Sequence, residues 1–476
     1  MKTDKYTSIT ADSRQVQSGT LFVALRGFSV DGHKFIGSAL SKGAAAIVYD
    51  NEEAAYEWKN TPEGEKAEWF RVEDSRKALA ELADEFYGHP SRSLKLVGIT
   101  GTNGKTTTVT LLYKLFRKMG YKCGLLSTIA NYVDTEMFHA ENTTSDPLTI
   151  NALMRQMVDK GCEYCFMEVS SIGVEQYRVH ALDFNVGIFS NLTHDHLDYH
   201  KTFAEYIRCK KLFFDRLPKG STAIINIDDR NGAIMVQNTA AEVMTYSCRK
   251  MADHRCKILE ESFDGMLLKI DGTELWCPLI GQHNAYNVLA IYCAALALGA
   301  SKEDILVGLS DIGQVCGRLE QLKGPRGVNV VIDYAHTPDA MENVLKTLRE
   351  IAPKRELCCL FGCGGDRDKT KRPEMGAVAV KLADKVIVTS DNSRTEKTED
   401  IIEDIKAGID KSLMKKVLCI ADRREAIRTA ILTASADSTL LLAGKGHEDY
   451  QIIGKEKLHF DEHEVVKEIS AEMEEE

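Results

Sequence analysis

The segment Gly98-Ile99-Thr100-Gly101-Thr102-Asn103-Gly104-Lys105-Thr106-Thr107 carries the strongest chemical signal in the chain. An apolar run, LKLVGIT (94–100), leads into it and a helical pattern from Lys105 to Met119 leaves it. Glycines let a backbone approach phosphate oxygens, a helix start offers free N–H groups, and Lys105 adds a positive charge. Gly101, Thr102, Asn103, Gly104, Lys105, Thr106 and Thr107 are therefore expected to hold ATP phosphates, with the Thr106 hydroxyl on Mg²⁺. The strict pattern GxxxxGK[ST] is missed by one residue, because Ile99 stands where its first glycine belongs. A glycine turn with an incidental lysine is the plain alternative, and the ordered run of strand, glycines, lysine, threonines and helix speaks against it.

A second candidate is Glu168, which closes the apolar run CEYCFMEV at the end of an expected parallel strand, where doubly wound sheets place ligands. Cys162 and Cys165 in the same run form a CxxC, but no second pair stands at zinc-ribbon spacing, so they read as core thiols.

Elements that position these residues fall into three blocks over 476 residues, in keeping with roughly 150 residues per domain. Residues 1–90 hold LFVAL, a helical stretch near 34–42, AAAIVYD and a helical pattern from Asp74 to Tyr87, with His89-Pro90 as an expected linker. Residues 91–316 alternate strands (CGLLST, CEYCFMEV, NVGIFSN, STAIINID) with helices, which predicts a mainly parallel sheet covered on both faces. Within that block, MTYS, KILEESF and MLLKI predict appended antiparallel strands, and Asn284 to Leu298 a long helix. Residues 317–476 repeat the alternation with VNVVIDYA, ELCCLFGC, KVIVTSDN, KVLCIA and STLLLAGKG, a second Rossmann-like unit. The fold class is α/β with three domains.

Charge and composition narrow the function. A net charge of −11 argues against a nucleic-acid scaffold. Val288 to Ala300, the longest apolar stretch, is too short to span a bilayer and reads as a buried helix. Thirteen cysteines without a signal-peptide pattern suggest reduced thiols and a cytoplasmic protein.

Beyond the phosphate loop, ADSRQVQSGTLFVALRGFSVDGH, NTTSDP, MEVSS, NLTHDHLDYH, IDYAHTPD, GCGGDRDKTKRP, SDNSRTE and AGKGHEDYQ follow in order over essentially the whole chain. Together with GTNGKTT they resemble the Mur ligase family, and within it the tripeptide synthetases. The resemblance implies domains for a uridine nucleotide, for ATP and for an incoming amino acid. It also implies an ATP-driven amide ligation through an acyl phosphate on UDP-N-acetylmuramoyl-L-alanyl-D-glutamate, a step of peptidoglycan precursor synthesis. Three anions must then meet, so metal ions and cationic side chains are needed to offset their repulsion.

By the same resemblance Glu168, His196 and a carbamylated Lys210 are expected to bind a second Mg²⁺, with Lys105 and these three as the catalytic group. Residue type alone would leave Lys210 and Lys211 both solvated; only the family spacing favours Lys210. Ser13, Asn142, Thr143, Thr144, Ser170, Gln176 and Arg178 are implied for the uridine substrate, although Ile172 stands where the family usually has histidine. Asn287, Arg318 and Asp333 are implied on the ATP side, and Arg318 is equally readable as an interdomain ion pair. Arg367, Asp391, Asn392, Ser393, Arg394, Gly444 and Glu448 are implied for the amino acid. Relatives that select meso-diaminopimelate read DNPR; this chain keeps Arg394 but has Ser393 in place of the proline, whose fixed φ is lost. A cation is a poor host for the ammonium of lysine, so meso-diaminopimelate is the expected amino acid. L-Lysine, a folylpolyglutamate-type reaction and a non-catalytic nucleotide-binding role are the competing readings. The expected partners are these small molecules, with no nucleic acid, no membrane insertion and a monomeric chain.

Overall fold

The computed structural model describes residues 2–27, 30–193, 200 and 202–475. They form two compact units. One holds the chain as far as Leu192 together with His200–His254 and Ala290–Gly308; the other holds Arg255–Leu289 and the chain from Leu309 onward.

The first unit begins with a four-stranded parallel sheet in the order Ser8–Thr10, Thr20–Val23, Ala46–Tyr49, Glu68–Arg71. Apolar residues fill both of its faces: Phe22 and Ile47 on one, Leu21, Ala46 and Val48 on the other. Asp74 caps the following helix, Ser75–Phe86, by accepting from the Arg76 and Lys77 amides. His89-Pro90 is not a slack linker. His89 has a φ of 53°, shares a 2.6 Å hydrogen bond with Asp84, and leads into a short 3₁₀ turn, Pro90–Ser93, in which Pro90 and Ser91 are buried.

A larger sheet follows in the same unit. Its strands lie in the order Glu242–Ser247, Thr222–Asn226, Val186–Phe189, Lys95–Thr100, Tyr164–Glu168, Cys123–Leu126, and these six are mutually parallel. An unforeseen antiparallel hairpin, Asn131–Val133 and Glu136–Phe138, extends the Cys123 side. The strand over MTYS was expected to be antiparallel; instead Glu242–Ser247 continues the parallel sheet. The central strands are apolar on both faces because helices cover both, as parallel sheets require.

In the second unit, which takes up the chain at Arg255, the strands His254–Ser262, Gly265–Ile270 and Thr273–Cys277 make the antiparallel meander expected from KILEESF and MLLKI, with one strand more. Helix Gln282–Ala297 is apolar and buried from Val288 to Ala295, and among the described residues no helix is long and apolar enough to cross a membrane. A six-stranded sheet completes this unit in the order Glu320–Lys323, Asn329–Asp333, Thr439–Ala443, Leu357–Phe361, Lys385–Val388, Val417–Cys419. All its pairings are parallel except that of the edge strand Glu320–Lys323, which the sequence did not disclose. A hairpin, Tyr450–Ile453 with Glu456–His459, precedes the last helix, Glu462–Glu475. Arg423 and Glu462, both fully buried, join at 2.8 Å and fix the start of that helix.

Candidate active site

Parallel pairing sets Ile99 beside Glu168 and Thr100 beside Phe189. The phosphate loop, Glu168 and the loop opened by Ser190 therefore leave the same edge of the sheet from three adjacent strands, where doubly wound folds expose ligand sites.

Gly104 has a φ of 88° and stands just before helix Lys105–Lys118, leaving the first N–H groups of the helix without a side-chain cap. Gly101 is irreplaceable for another reason: a Cβ there would lie 1.9 Å from Ser190 Oγ. Lys105 Nζ donates to the carbonyls of Gly101 and Thr102, each at 2.9 Å. Thr106 and Thr107 are buried beneath it.

Lys210 comes to the same carbonyl. Its Nζ donates to Gly101 O at 2.9 Å, from a side chain only 1% exposed and 4.6 Å from the Tyr206 ring centroid. Lys211, one residue on along helix Phe203–Asp215, turns away and pairs with Asp215 at 2.6 Å. The expectation of two solvated lysines thus fails for Lys210. A turn of about 100° per residue puts neighbours on different faces of a helix, and Lys210 lies on the inner one.

Glu168 is 1% exposed, and its Oε1 accepts from the Thr128 amide at 2.8 Å. Among the described residues its Oε2 has no partner. His196 lies outside the described residues. Of the phrase DHLDYH only His200 is described, buried and sharing a 2.8 Å hydrogen bond with Ser171 Oγ. Glu168, Thr106 and a carbamate on Lys210 would offer oxygen donors, the preference of a hard cation, so these residues suit Mg²⁺. Unmodified, Lys210 is a cation that can only donate.

Most of the residues implied for the uridine substrate gather beside Glu168. Thr144 Oγ1 donates to Glu168 O at 2.9 Å and accepts from the Ser170 amide at 3.0 Å. Thr143 Oγ1 accepts from Thr128 Oγ1 at 3.1 Å. Arg178 donates to Thr144 O at 2.6 Å and to Gln176 Oε1 at 2.8 Å, so its guanidinium is already oriented. Asn142 is exposed, and Ser170 caps the short helix Ser171–Glu175 that carries the departure Ile172. Ser13 is buried in the N-terminal sheet region, with its carbonyl accepting from Lys42 at 2.9 Å.

Two residues at the phosphate loop escaped the sequence reading. Asn191 accepts from the Asn103 amide at 3.0 Å and donates to the Asn103 carbonyl at 3.1 Å, while Ser190 Oγ donates to that carbonyl at 2.7 Å. Asn191 opens the phrase NLTHDHLDYH, and a polar pair at the end of an apolar strand was the available signal.

In the second unit, Asp333 ends its strand with Oδ2 and Oδ1 accepting from the Leu319 and Ala335 amides at 2.7 and 2.8 Å. Burial raises its pKa, against the opposing pull of Arg318. Arg318 lies 4.8 Å over the Tyr334 ring, which also meets His336 and His447. Burial takes the His447 pKa down to about 4, so its imidazole is neutral near pH 7. Asn287, 5% exposed, donates to Asn284 Oδ1 at 2.9 Å.

The residues implied for the amino acid form one cluster in this unit. Asn392 donates to Glu448 Oε2 at 2.8 Å and accepts from the Ile452 amide at 2.9 Å. Lys445 reaches Glu448 at 3.3 Å, and burial nonetheless raises the Glu448 pKa. A Cβ on Gly444 would sit 2.9 Å from Asp391 Oδ2. Arg394, with a φ of 50°, is held by backbone bonds to Ile452 and Gly454, and its guanidinium donates to Gly365 O at 2.8 Å. That clasp fixes the loop although Ser393 replaces proline. Glu396 is engaged by Arg372 and Lys369 instead, and among the described residues Arg394 makes no ion pair. Arg367 is exposed and donates to Asp366 O at 3.3 Å.

Profiles described as Mur ligase family, catalytic domain, as Mur ligase middle domain, and as Mur ligase, glutamate ligase domain match residues 5–87, 99–295 and 317–446. A curated protein of Parabacteroides distasonis named UDP-N-acetylmuramoyl-L-alanyl-D-glutamate--2,6-diaminopimelate ligase is 51% identical, covering 97% of this chain and 94% of that one. The chain belongs to the Mur ligase family. A protein of the same name from Geobacillus kaustophilus is 43% identical over 97% of this chain and 94% of its own length. A solved structure titled with that ligase name superposes with a TM-score of 0.70 at 30% identity, covering 98% of this chain and 95% of its own. A MurF ligase from Thermotoga maritima in complex with ADP, at 20% identity and a TM-score of 0.65, shares the Mur ligase fold.

Proposed function

We propose that this chain is the ATP-dependent ligase that joins meso-diaminopimelate to the γ-carboxylate of D-glutamate in UDP-N-acetylmuramoyl-L-alanyl-D-glutamate, a cytoplasmic step of peptidoglycan precursor synthesis. One observation carries the chemistry: Lys105 and Lys210 converge on the Gly101 carbonyl, one strand away from Glu168. In this reading residues 1–90 hold the uridine nucleotide, 91–316 the ATP, and 317–476 the amino acid, and the ligase works as a monomer.

The phosphate loop holds the triphosphate on Lys105 and the free amides of its helix, and the γ-phosphoryl group passes to the D-glutamate carboxylate, leaving ADP. Arg178, held by Thr144 and Gln176, fixes an oxyanion of the uridine substrate. The amine of the incoming amino acid then attacks the acyl carbon, inorganic phosphate leaves, and the nitrogen gives up its proton. Thr106, Glu168 and carbamylated Lys210 would hold Mg²⁺, which neutralises charge on the phosphoryl oxygens. His196 is proposed to join them. Asn287, Arg318 and Asp333 serve the nucleotide. Arg367, Asp391, Asn392, Ser393, Gly444 and Glu448 seat the amino acid, with Arg394 at its distal carboxylate. Phosphate release from ATP should require both the uridine dipeptide and the amino acid; release without either would overturn the ligase reading.

The choice of amino acid rests on Arg394, a clasped guanidinium without a carboxylate partner among the described residues. A charged hydrogen bond contributes roughly 1.5–3 kcal/mol, and about 1.4 kcal/mol is a decade. The protein should therefore favour meso-diaminopimelate over L-lysine at least about tenfold in kcat/KM, and Arg394→Ala should lose most of that preference. Equal use of the two amino acids by the unaltered protein would refute this assignment.

A further inference from the structure

A second group of metal-type donors includes none of these residues. Cys316, Glu320 and His463 each offer one ligand atom, and the three atoms lie within 4.8 Å of one another. They come from the turn before the edge strand Glu320–Lys323, from the first residue of that strand, and from the first turn of helix Glu462–Glu475.

The histidine is already arranged as a metal-bound histidine is. Asp461 Oδ1 lies 2.8 Å from His463 Nδ1, on the side of the ring away from Glu320, whose Oε2 lies 2.8 Å from Nε2. A carboxylate on Nδ1 keeps that nitrogen protonated, so Nε2, here hydrogen-bonded to Glu320, is the nitrogen that can release its proton and turn a lone pair to a cation, and such outer partners hold the ring of metal-ligating histidines. Glu320 is pinned in turn, because its Oε2 accepts from the Gly317 amide at 2.8 Å. The helix carrying His463 is anchored one residue earlier by the buried Arg423–Glu462 pair. Cys316 is exposed, while Glu320 and His463 keep 20% of their side-chain surface, so an ion can arrive from solvent. Gly317 closes the turn beside the cysteine: its φ is 64°, and a Cβ there would meet the Gly446 backbone at 2.3 Å.

We propose that Cys316, Glu320 and His463 bind a zinc-type divalent transition-metal ion, with Asp461 orienting the histidine and water completing the coordination. Thiolate, imidazole and carboxylate together suit zinc or cobalt, whereas magnesium and calcium prefer oxygen alone. Tetrahedral zinc sets neighbouring donors about 3.3–3.8 Å apart, so Glu320 and His463, 2.8 Å apart here, must part slightly to admit the ion. On binding, the Cys316 thiol and the Nε2 position each give a proton to water, and the metal takes their place. Occupancy ties the Val315–Glu320 turn, which also carries Arg318, to the C-terminal helix.

The competing account is an imidazolium held between two carboxylates with a bystander thiol. Cobalt(II) added to the full-length protein in excess magnesium separates them, since only a cobalt–thiolate bond gives a near-ultraviolet charge-transfer band. One equivalent should produce the band, and zinc should abolish it. Cys316→Ser should remove it, and His463→Gln should weaken binding at least about tenfold. Asp461→Asn should keep the band while weakening binding by about 10–100-fold. Cys419→Ser, which removes the other exposed cysteine, should change nothing. In the unaltered protein, zinc should also shield Cys316 but not Cys419 from alkylation, a readout independent of how the variants fold. Absence of the band, its survival in Cys316→Ser, or equal alkylation of both cysteines would overturn the site.

Discussion

Lys105→Ala should lose at least about a hundredfold to a thousandfold in ligation rate while remaining folded. Removing one well-placed electrostatic donor from a developing anion typically costs about 2.7–4 kcal/mol, which sets this range. The fold should survive because the loop does not depend on the lysine. Asn191 and Ser190 hold Asn103 from the loop that follows the neighbouring strand, and the Thr102 amide donates to Asn191 O at 2.9 Å. What Lys105 gives up is its pair of bonds to the Gly101 and Thr102 carbonyls, an arrangement that nucleotide phosphates would replace. Initial rates of phosphate release, read beside a thermal melt, test both halves. Full activity in a folded variant would remove the phosphate-loop assignment.

Lys210→Ala should be at least as damaging, and the contrast with its neighbour makes the test sharp. Lys210 is buried against Gly101 O and the Tyr206 ring, so its loss empties a position facing the loop. Lys211→Ala gives up a helical ion pair with Asp215, a type of contact worth about 1 kcal/mol or less. If Lys210 acts as a carbamate, intact-mass measurement in bicarbonate should show a carbon dioxide adduct on that residue, and small carboxylates should partly restore Lys210→Ala. An inactive Lys211→Ala beside an active Lys210→Ala would reverse the assignment.

The sequence disclosed most of the strands for a physical reason. KLVGIT, YCFME, LCCLF and TLLLA are covered on both faces, so they are written as unbroken apolar runs between glycine-bearing turns. Direction is another matter. The run ending in MTYS has the same composition in either orientation, and only its pairing with Thr222–Asn226 settles that it is parallel. The two overlooked hairpins are short, turned at Asp134 and Gly454 with positive φ, and their outer strands Glu136–Phe138 and Glu456–His459 are mostly exposed, so three or four residues a strand leave too little pattern to read. At the site, residue identities were legible but mutual support was not. Nothing in Cys209-Lys210-Lys211 announces which ammonium is buried, because that depends on helix phase against the sheet. The bracing of Asn103 by Asn191 joins residues 88 positions apart, through an amide that serves as donor and acceptor at once.

Gly101 has a consequence for inhibitor resistance. Its carbonyl takes both lysines, and the place where a side chain would begin is already filled by Ser190. Every substitution at this position must push Ser190 away and with it the contacts that shape the phosphate loop. A compound that reads the Gly101 carbonyl and the two ammonium groups around it would thus address a spot where a single-codon change removes the compound's contact only by disabling the protein as well. Selection would be forced toward positions farther out, where side chains can change without disturbing the loop.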